Sequence, residues 1–145
     1  MVHVTVKSMV LGFIAAAVAV LTVHELISYI LLQAGIFPRE PWSMKPAAVT
    51  GLPQIISDMF WGGFWGVLFA LIYPFIPGGS PTLKGLIFGI VAPAILGVLI
   101  AIPLLTGRFP LFFGFDAKMI GSVLLILAGF GAGMGWLYGF LSRHV

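Results

Sequence analysis

The stretch Lys7-Ser8-Met9-Val10-Leu11-Gly12-Phe13-Ile14-Ala15-Ala16-Ala17 has a counterpart in Lys84-Gly85-Leu86-Ile87-Phe88-Gly89-Ile90-Val91-Ala92-Pro93-Ala94. Further along, Gly35-Ile36-Phe37-Pro38 recurs as Gly107-Arg108-Phe109-Pro110. Trp61-Gly62, with Gly66, Leu68, Phe69 and Ala70, recurs as Phe130-Gly131, with Gly135, Leu137, Tyr138 and Gly139. Three matched blocks in one order point to a duplicated helix–loop–helix unit, and an internal repeat decides architecture before any finer signal does. The spacing between copies shortens along the chain, so the second copy has the shorter connection.

The composition says what kind of helices these are. Of 145 residues, 61% are hydrophobic and 8% charged, with a mean hydropathy of +1.18, against roughly 25% charged in a soluble domain. Four apolar stretches, 7–33, 55–76, 84–106 and 118–141, reach the length of about 20 residues that a hydrocarbon core requires. Each must be a helix, because a backbone amide in lipid has to find its partner within its own segment. The first stretch is too long for the apolar part of a cleavable signal and belongs to the repeat, so it reads as a span of the mature protein. The expected fold is therefore all-α and polytopic, one integral membrane domain over 1–145. Its repeats, 7–76 and 84–142, would be two helical hairpins set in parallel, related by a pseudo-two-fold axis along the membrane normal. Such a duplication puts both termini on one side.

Several function classes drop out. No cysteine is present, which removes disulfides, thiolate metal sites and cysteine nucleophiles together. The net charge of +3 comes from Lys7, Arg39, Lys45, Lys84, Arg108, Lys118 and Arg143, all near span ends, where cations flank a bilayer; no basic stripe suited to nucleic acid is formed. Three of these fall on the terminal side and four on the other, so the count leaves orientation open. His24-Glu25 lacks the second histidine of a zinc-binding HExxH helix, since position 28 is Ser28. His3 and His144 lie at the far end from it, so no metal site and no cofactor is expected. No nucleophile has a base and an orienting acid in reach, and the chain reads as a non-enzyme.

Small residues spaced by four mark the contact stripes of membrane helices. Here they are Gly12 with Ala16, Gly62 with Gly66, Gly85 with Gly89, and Gly131 with Gly135 and Gly139. The stripes of the second and fourth spans match, so these two are expected to meet near the pseudo-axis with Gly66 close to Gly135. Pro93 and Pro103 predict a distorted third span, because proline withholds an amide donor and clashes one turn back. The proline-rich segment after the first span, with Trp42 between Arg39 and Lys45, suits an interfacial cap in the headgroup layer.

Ionisable groups within spans are functional candidates by default. Glu25 lies about ten residues before Gly35, roughly 15 Å from that end at 1.5 Å per residue; Asp58 lies about one turn into the second span. His24 and Glu25, as neighbours, should point about 100° apart. Glu25, Ser28 and Tyr29 share one helix face, and Asp58, Trp61, Gly62 and Trp65 another. For Glu25 the readings are a carboxyl kept protonated by desolvation and bonded across helices or paired with Lys118, a proton-carrying carboxylate, or a polar contact to a partner subunit or cofactor. Asp58 reads most simply as stabilised by the helix dipole.

With Trp61-Gly62-Gly63-Phe64-Trp65-Gly66-Val67-Leu68-Phe69-Ala70-Leu71-Ile72-Tyr73-Pro74, Leu83-Lys84-Gly85-Leu86-Ile87-Phe88-Gly89, Ile102-Pro103-Leu104-Leu105-Thr106-Gly107 and Gly135-Trp136-Leu137-Tyr138-Gly139 in view, the chain resembles the small bacterial inner-membrane proteins of the YagU-like type over residues 58 to 141. The resemblance implies a four-helix bundle in a prokaryotic inner membrane and brings no activity with it. Members of that group carry a histidine one turn before the glycine pair, where this chain has Asp58 and Leu127. The functional expectation is a structural or accessory subunit, its partners being the lipid bilayer and other membrane subunits or a second copy of itself. The alternative is a small homodimeric proton-coupled transporter or channel using Glu25 and Asp58.

Overall fold

The computed structural model describes residues 4–48, 50–108 and 110–145. His3, and Phe109 of the Gly107–Pro110 repeat block, lie outside the described residues. Among those residues the chain is helical, with one isolated bridge between Pro46 and Pro53. Four helices are long and apolar enough to cross a membrane: Val6–Gln33, Gln54–Phe75, Pro81–Thr106 and Ala117–His144. They are the four stretches read from the sequence, within a few residues at each end.

Local chemistry sets the ends. Thr5 and Ser8 form a reciprocal capping box at the first span, Ser80 with Pro81 opens the third, and Asp116 accepts the Met119 amide at the fourth. Each supplies an acceptor to amides that have no partner within the helix. Gly35 (φ +70°) and Gly107 (φ +64°) end the first and third spans in the left-handed conformation that glycine adopts without steric penalty. The second span opens differently. Its first amides, of Gln54 and Ile55, donate to the carbonyls of Lys45 and Ser43 (2.8 and 3.0 Å), so the preceding loop is its cap.

Two spans are not regular α-helices throughout. The first passes through a widened π turn at Val20–His24 before resuming as an α-helix over Glu25–Gln33. The third widens over Ile90–Ala101, around Pro93, and closes as an α-helix over Ile102–Thr106. That distortion follows from the missing amide of proline.

Helix pairing follows the glycines, in a pattern that differs from expectation. A Cβ on Gly66 would overlap the Gly12 carbonyl oxygen and crowd the Ala16 methyl, and one on Gly62 would overlap Val20. In the second pair, a Cβ on Gly85 would overlap the Gly131 carbonyl, one on Gly89 that of Leu127, and one on Gly135 that of Pro81. A Cβ on Gly139 would press on the Pro81 ring. The first and second spans thus meet backbone to backbone, as do the third and fourth, each pair antiparallel. Gly66 and Gly135 therefore do not face one another, because each is already filled by its own hairpin partner. Consecutive elements are usually neighbours in space, and that outweighs the match between the second and fourth stripes.

The two hairpins join along the first and fourth spans, where Val23 and Ile27 pack over Gly133 and Gly129. The second and third spans touch through aromatic side chains, with Trp65 and Phe69 against Phe88 at 6.3 and 5.4 Å between ring centroids. Phe69, Leu99, Phe130 and Met134 fill the centre. At one end of the bundle Leu31 and Ile36 lie beside Ala117 and Lys118, and at the other Lys7 reaches the main-chain oxygen of Val145.

Replacing Gly85 or Gly66 by Ala is expected to cost about 1–3 kcal/mol through overpacking, read as a lower melting temperature in detergent. Gly121, whose added Cβ would meet open space, is the control: Gly121→Ala is expected to gain up to about 1 kcal/mol of helix propensity. Equal melting temperatures for all three variants would contradict these contacts.

Candidate functional site

Glu25 is fully buried, and donors from the following loop converge on it. Its Oε1 lies 3.0 Å from Arg39 Nη1 and 2.8 Å from His24 Nδ1. Its Oε2 accepts from Arg39 Nη1 at 3.2 Å and from the Trp42 backbone amide at 2.6 Å. A guanidinium and a main-chain amide converging on both oxygens suit a carboxylate rather than a neutral acid. The bond across helices expected for this carboxyl is made instead to the loop between the first two spans, through Arg39 and Trp42.

The loop carries these donors into the bundle. Arg39 reaches from it between the first two spans, and its second nitrogen, Nη2, donates to Asp58 Oδ2. Asp58 is further held through Oδ1 by the Gln54 side chain at 2.7 Å. Arg39 Nη1 also lies 3.4 Å from the buried Ser28 hydroxyl, which donates to the His24 carbonyl at 2.9 Å. Trp42 has a left-handed backbone (φ 49°), uncommon for a non-glycine residue. That conformation aims its amide at Glu25 while its indole donates to the Leu21 carbonyl at 2.9 Å, within the widened turn. Guanidinium, indole and amide together pin the loop to the first span.

The structure therefore joins Glu25 and Asp58, which the sequence treats separately, and joins them through Arg39. Asp58 answers to Arg39 and Gln54 rather than chiefly to the helix dipole. His24 reaches Glu25 after all: both backbones are helical (φ −59°, ψ −50° and φ −71°, ψ −34°), and the two side chains bend toward each other across the roughly 100° between neighbours. The His24 ring also stands edge-on to Phe130 of the fourth span, 6.2 Å between centroids. Tyr29 does not join the cluster; it is exposed and leans on the Trp42 ring. Lys118 does not pair with Glu25 either. It is exposed beside Leu31 and Ile36, at a shallow hollow of about 260 Å³, and Arg39 has taken its expected role.

Arg39, Trp42 and Gln54 are the members that sequence reasoning missed, having assigned the first two to the headgroup layer. The available signal was electrostatic: an acid inside a span demands a cation, and Arg39 is the first one after Glu25 in the chain. Chemically, a cluster of this kind holds elements together. Two surface hollows, of about 280 and 260 Å³, are lined mainly by apolar side chains and touch none of its members. Compared with protein-family models, curated proteins and solved structures, the chain finds no match.

Removing Arg39 leaves two carboxylates without their cation. Arg39→Met is expected to destabilise by about 3–5 kcal/mol, the cost of breaking a buried ion pair from one side. A triple replacement, Glu25→Met, Arg39→Met and Asp58→Leu, should recover most of that loss. Detergent unfolding of both variants checks this, and Lys118→Gln should leave the midpoint unchanged.

Proposed function

We propose that this chain is a structural or accessory subunit of a membrane protein assembly, with no chemistry of its own. The observation that carries the reading is the committed state of Glu25, whose oxygens are both taken by donors of the same chain. A carboxylate that shuttles protons needs a route to water and a changing set of partners. This one is bonded on every side, under a loop fixed at two further points. In this reading the hairpins 7–76 and 84–142 are duplicated copies set in parallel, with both termini on the same side of a prokaryotic inner membrane. Supporting the duplication are the matched sequence blocks and the way each hairpin closes through glycine carbonyls, Gly12 against Gly66 and Gly131 against Gly85. The YagU-like resemblance agrees with a four-helix bundle and adds no activity.

A second reading, a homodimeric proton-coupled transporter or channel, rests on the His24–Glu25 contact, which places a titratable ring against the buried carboxylate. Proteoliposomes loaded with a pH-sensitive dye separate the two. The subunit reading expects proton flux no faster than in empty vesicles, for wild type and for Glu25→Gln alike. Flux in wild type that Glu25→Gln abolishes would overturn it.

A further inference from the structure

The two ends of the bundle differ in charge far more than a count of cations reveals. All four carboxylates, Glu25, Glu40, Asp58 and Asp116, belong to the end that carries the two long loops, where they face the four cations Arg39, Lys45, Arg108 and Lys118. Two of those cations are already engaged: Arg39 between Glu25 and Asp58 within the bundle, and Lys45 with Glu40 at 3.0 Å. The opposite end carries Lys7, Lys84 and Arg143 and no acidic side chain.

These cations are positioned rather than merely present. Lys84 Nζ donates to the Tyr73 carbonyl at 3.0 Å and sits 4.4 Å above the Tyr73 ring, which fixes it where the second span ends. Arg143 donates from Nε to the Gly139 carbonyl at 3.2 Å. Among the described residues, its two terminal nitrogens make no hydrogen bond to protein, although the charge lies near Tyr73. Lys7 Nζ reaches the main-chain oxygen of Val145 at 2.5 Å, which draws the first span's cation to the same end. An anionic leaflet attracts such a cluster and is indifferent to an end whose charges cancel.

We infer that the end bearing the termini is a binding surface for anionic lipid headgroups, Lys84 and Arg143 donating to their phosphates, and that it therefore lies in the cytoplasmic leaflet with both termini inside. This rests on the reading that the four helices cross the membrane.

The chain has no cysteine, so single cysteines report sidedness cleanly. Met44→Cys marks the loop end, at a side chain 68% exposed, and Gly79→Cys marks the other, at a position with open space around it. In spheroplasts of a bacterial host, an impermeant maleimide is expected to label Met44→Cys at least about tenfold more than Gly79→Cys until the membrane is broken. Adding Lys84→Glu and Arg143→Glu should bring the two within about twofold. The reverse labelling pattern, or an orientation untouched by those charge reversals, would overturn the assignment. Equal labelling of both sites in the otherwise native chain would also overturn the assignment if both signals rise when the membrane is broken, since that reports mixed orientation; if neither rises, it would contradict the spanning reading on which the assignment rests. For the headgroups, phosphatidylglycerol retained through mild detergent and counted by native mass spectrometry should fall several-fold in Lys84→Gln with Arg143→Gln and hold in Lys45→Gln. Equal retention in the native chain and both variants would overturn the lipid site.

Discussion

A carboxylate buried in a membrane helix has to be surrounded by donors, and that requirement at Glu25 organises one whole end of this protein. Insertion of an acid at the centre of a span costs on the order of 2.5–3.5 kcal/mol. The penalty is offset only if the charge finds a cation and its remaining lone pairs find N–H groups. No single helix supplies these. The segment between the first two spans does, folding back so that Arg39, the Trp42 amide and His24 converge on the two oxygens. Asp58 then balances the second arm of the same guanidinium.

The cluster and the glycine contacts divide the work of holding the first hairpin. Backbones touch where Gly12 meets Gly66, and nearer the loop the spans are joined by ions instead. Lipid gives helices little reason to associate through burial alone, so close packing and polar bonds carry the association. Among the described residues, the second hairpin has the glycine contacts without a counterpart of the cluster: Leu127 stands where the first has Asp58. Duplicated or not, the two halves are chemically unequal, and the ionic one bears the longer loop. The widened turn at Val20–His24 belongs to the same device, since it holds the Leu21 carbonyl that receives the Trp42 indole.

The spans were legible from sequence because length and apolarity alone decide them. Their caps were not read, and Gly35 and Gly107 stood out only as matched positions of the repeat. Glu25 and Asp58 stood out as acids in lipid, yet the residue that unites them did not. Arg39 sits among prolines beside a tryptophan, a composition that fits the headgroup layer equally well, and nothing in spacing says that the loop turns inward. The glycine stripes were visible while their pairing was not. Periodicity gives the face of a helix, but the partner of that face depends on which spans become neighbours. The π turn before Glu25 carries no sequence signature that separates it from ordinary helix.

The clasp over Glu25 is tested most directly by hydrogen exchange at the Trp42 amide, followed residue by residue by NMR in detergent micelles. If that amide is held by a buried carboxylate, it should exchange about a hundredfold or more slowly than the amides of Arg39 and Glu40 on the same loop. Replacing Glu25 by Ala should release it. Exchange at Trp42 as fast as at its loop neighbours in the native chain would show that the loop is not pinned to the first span, and would contradict the account.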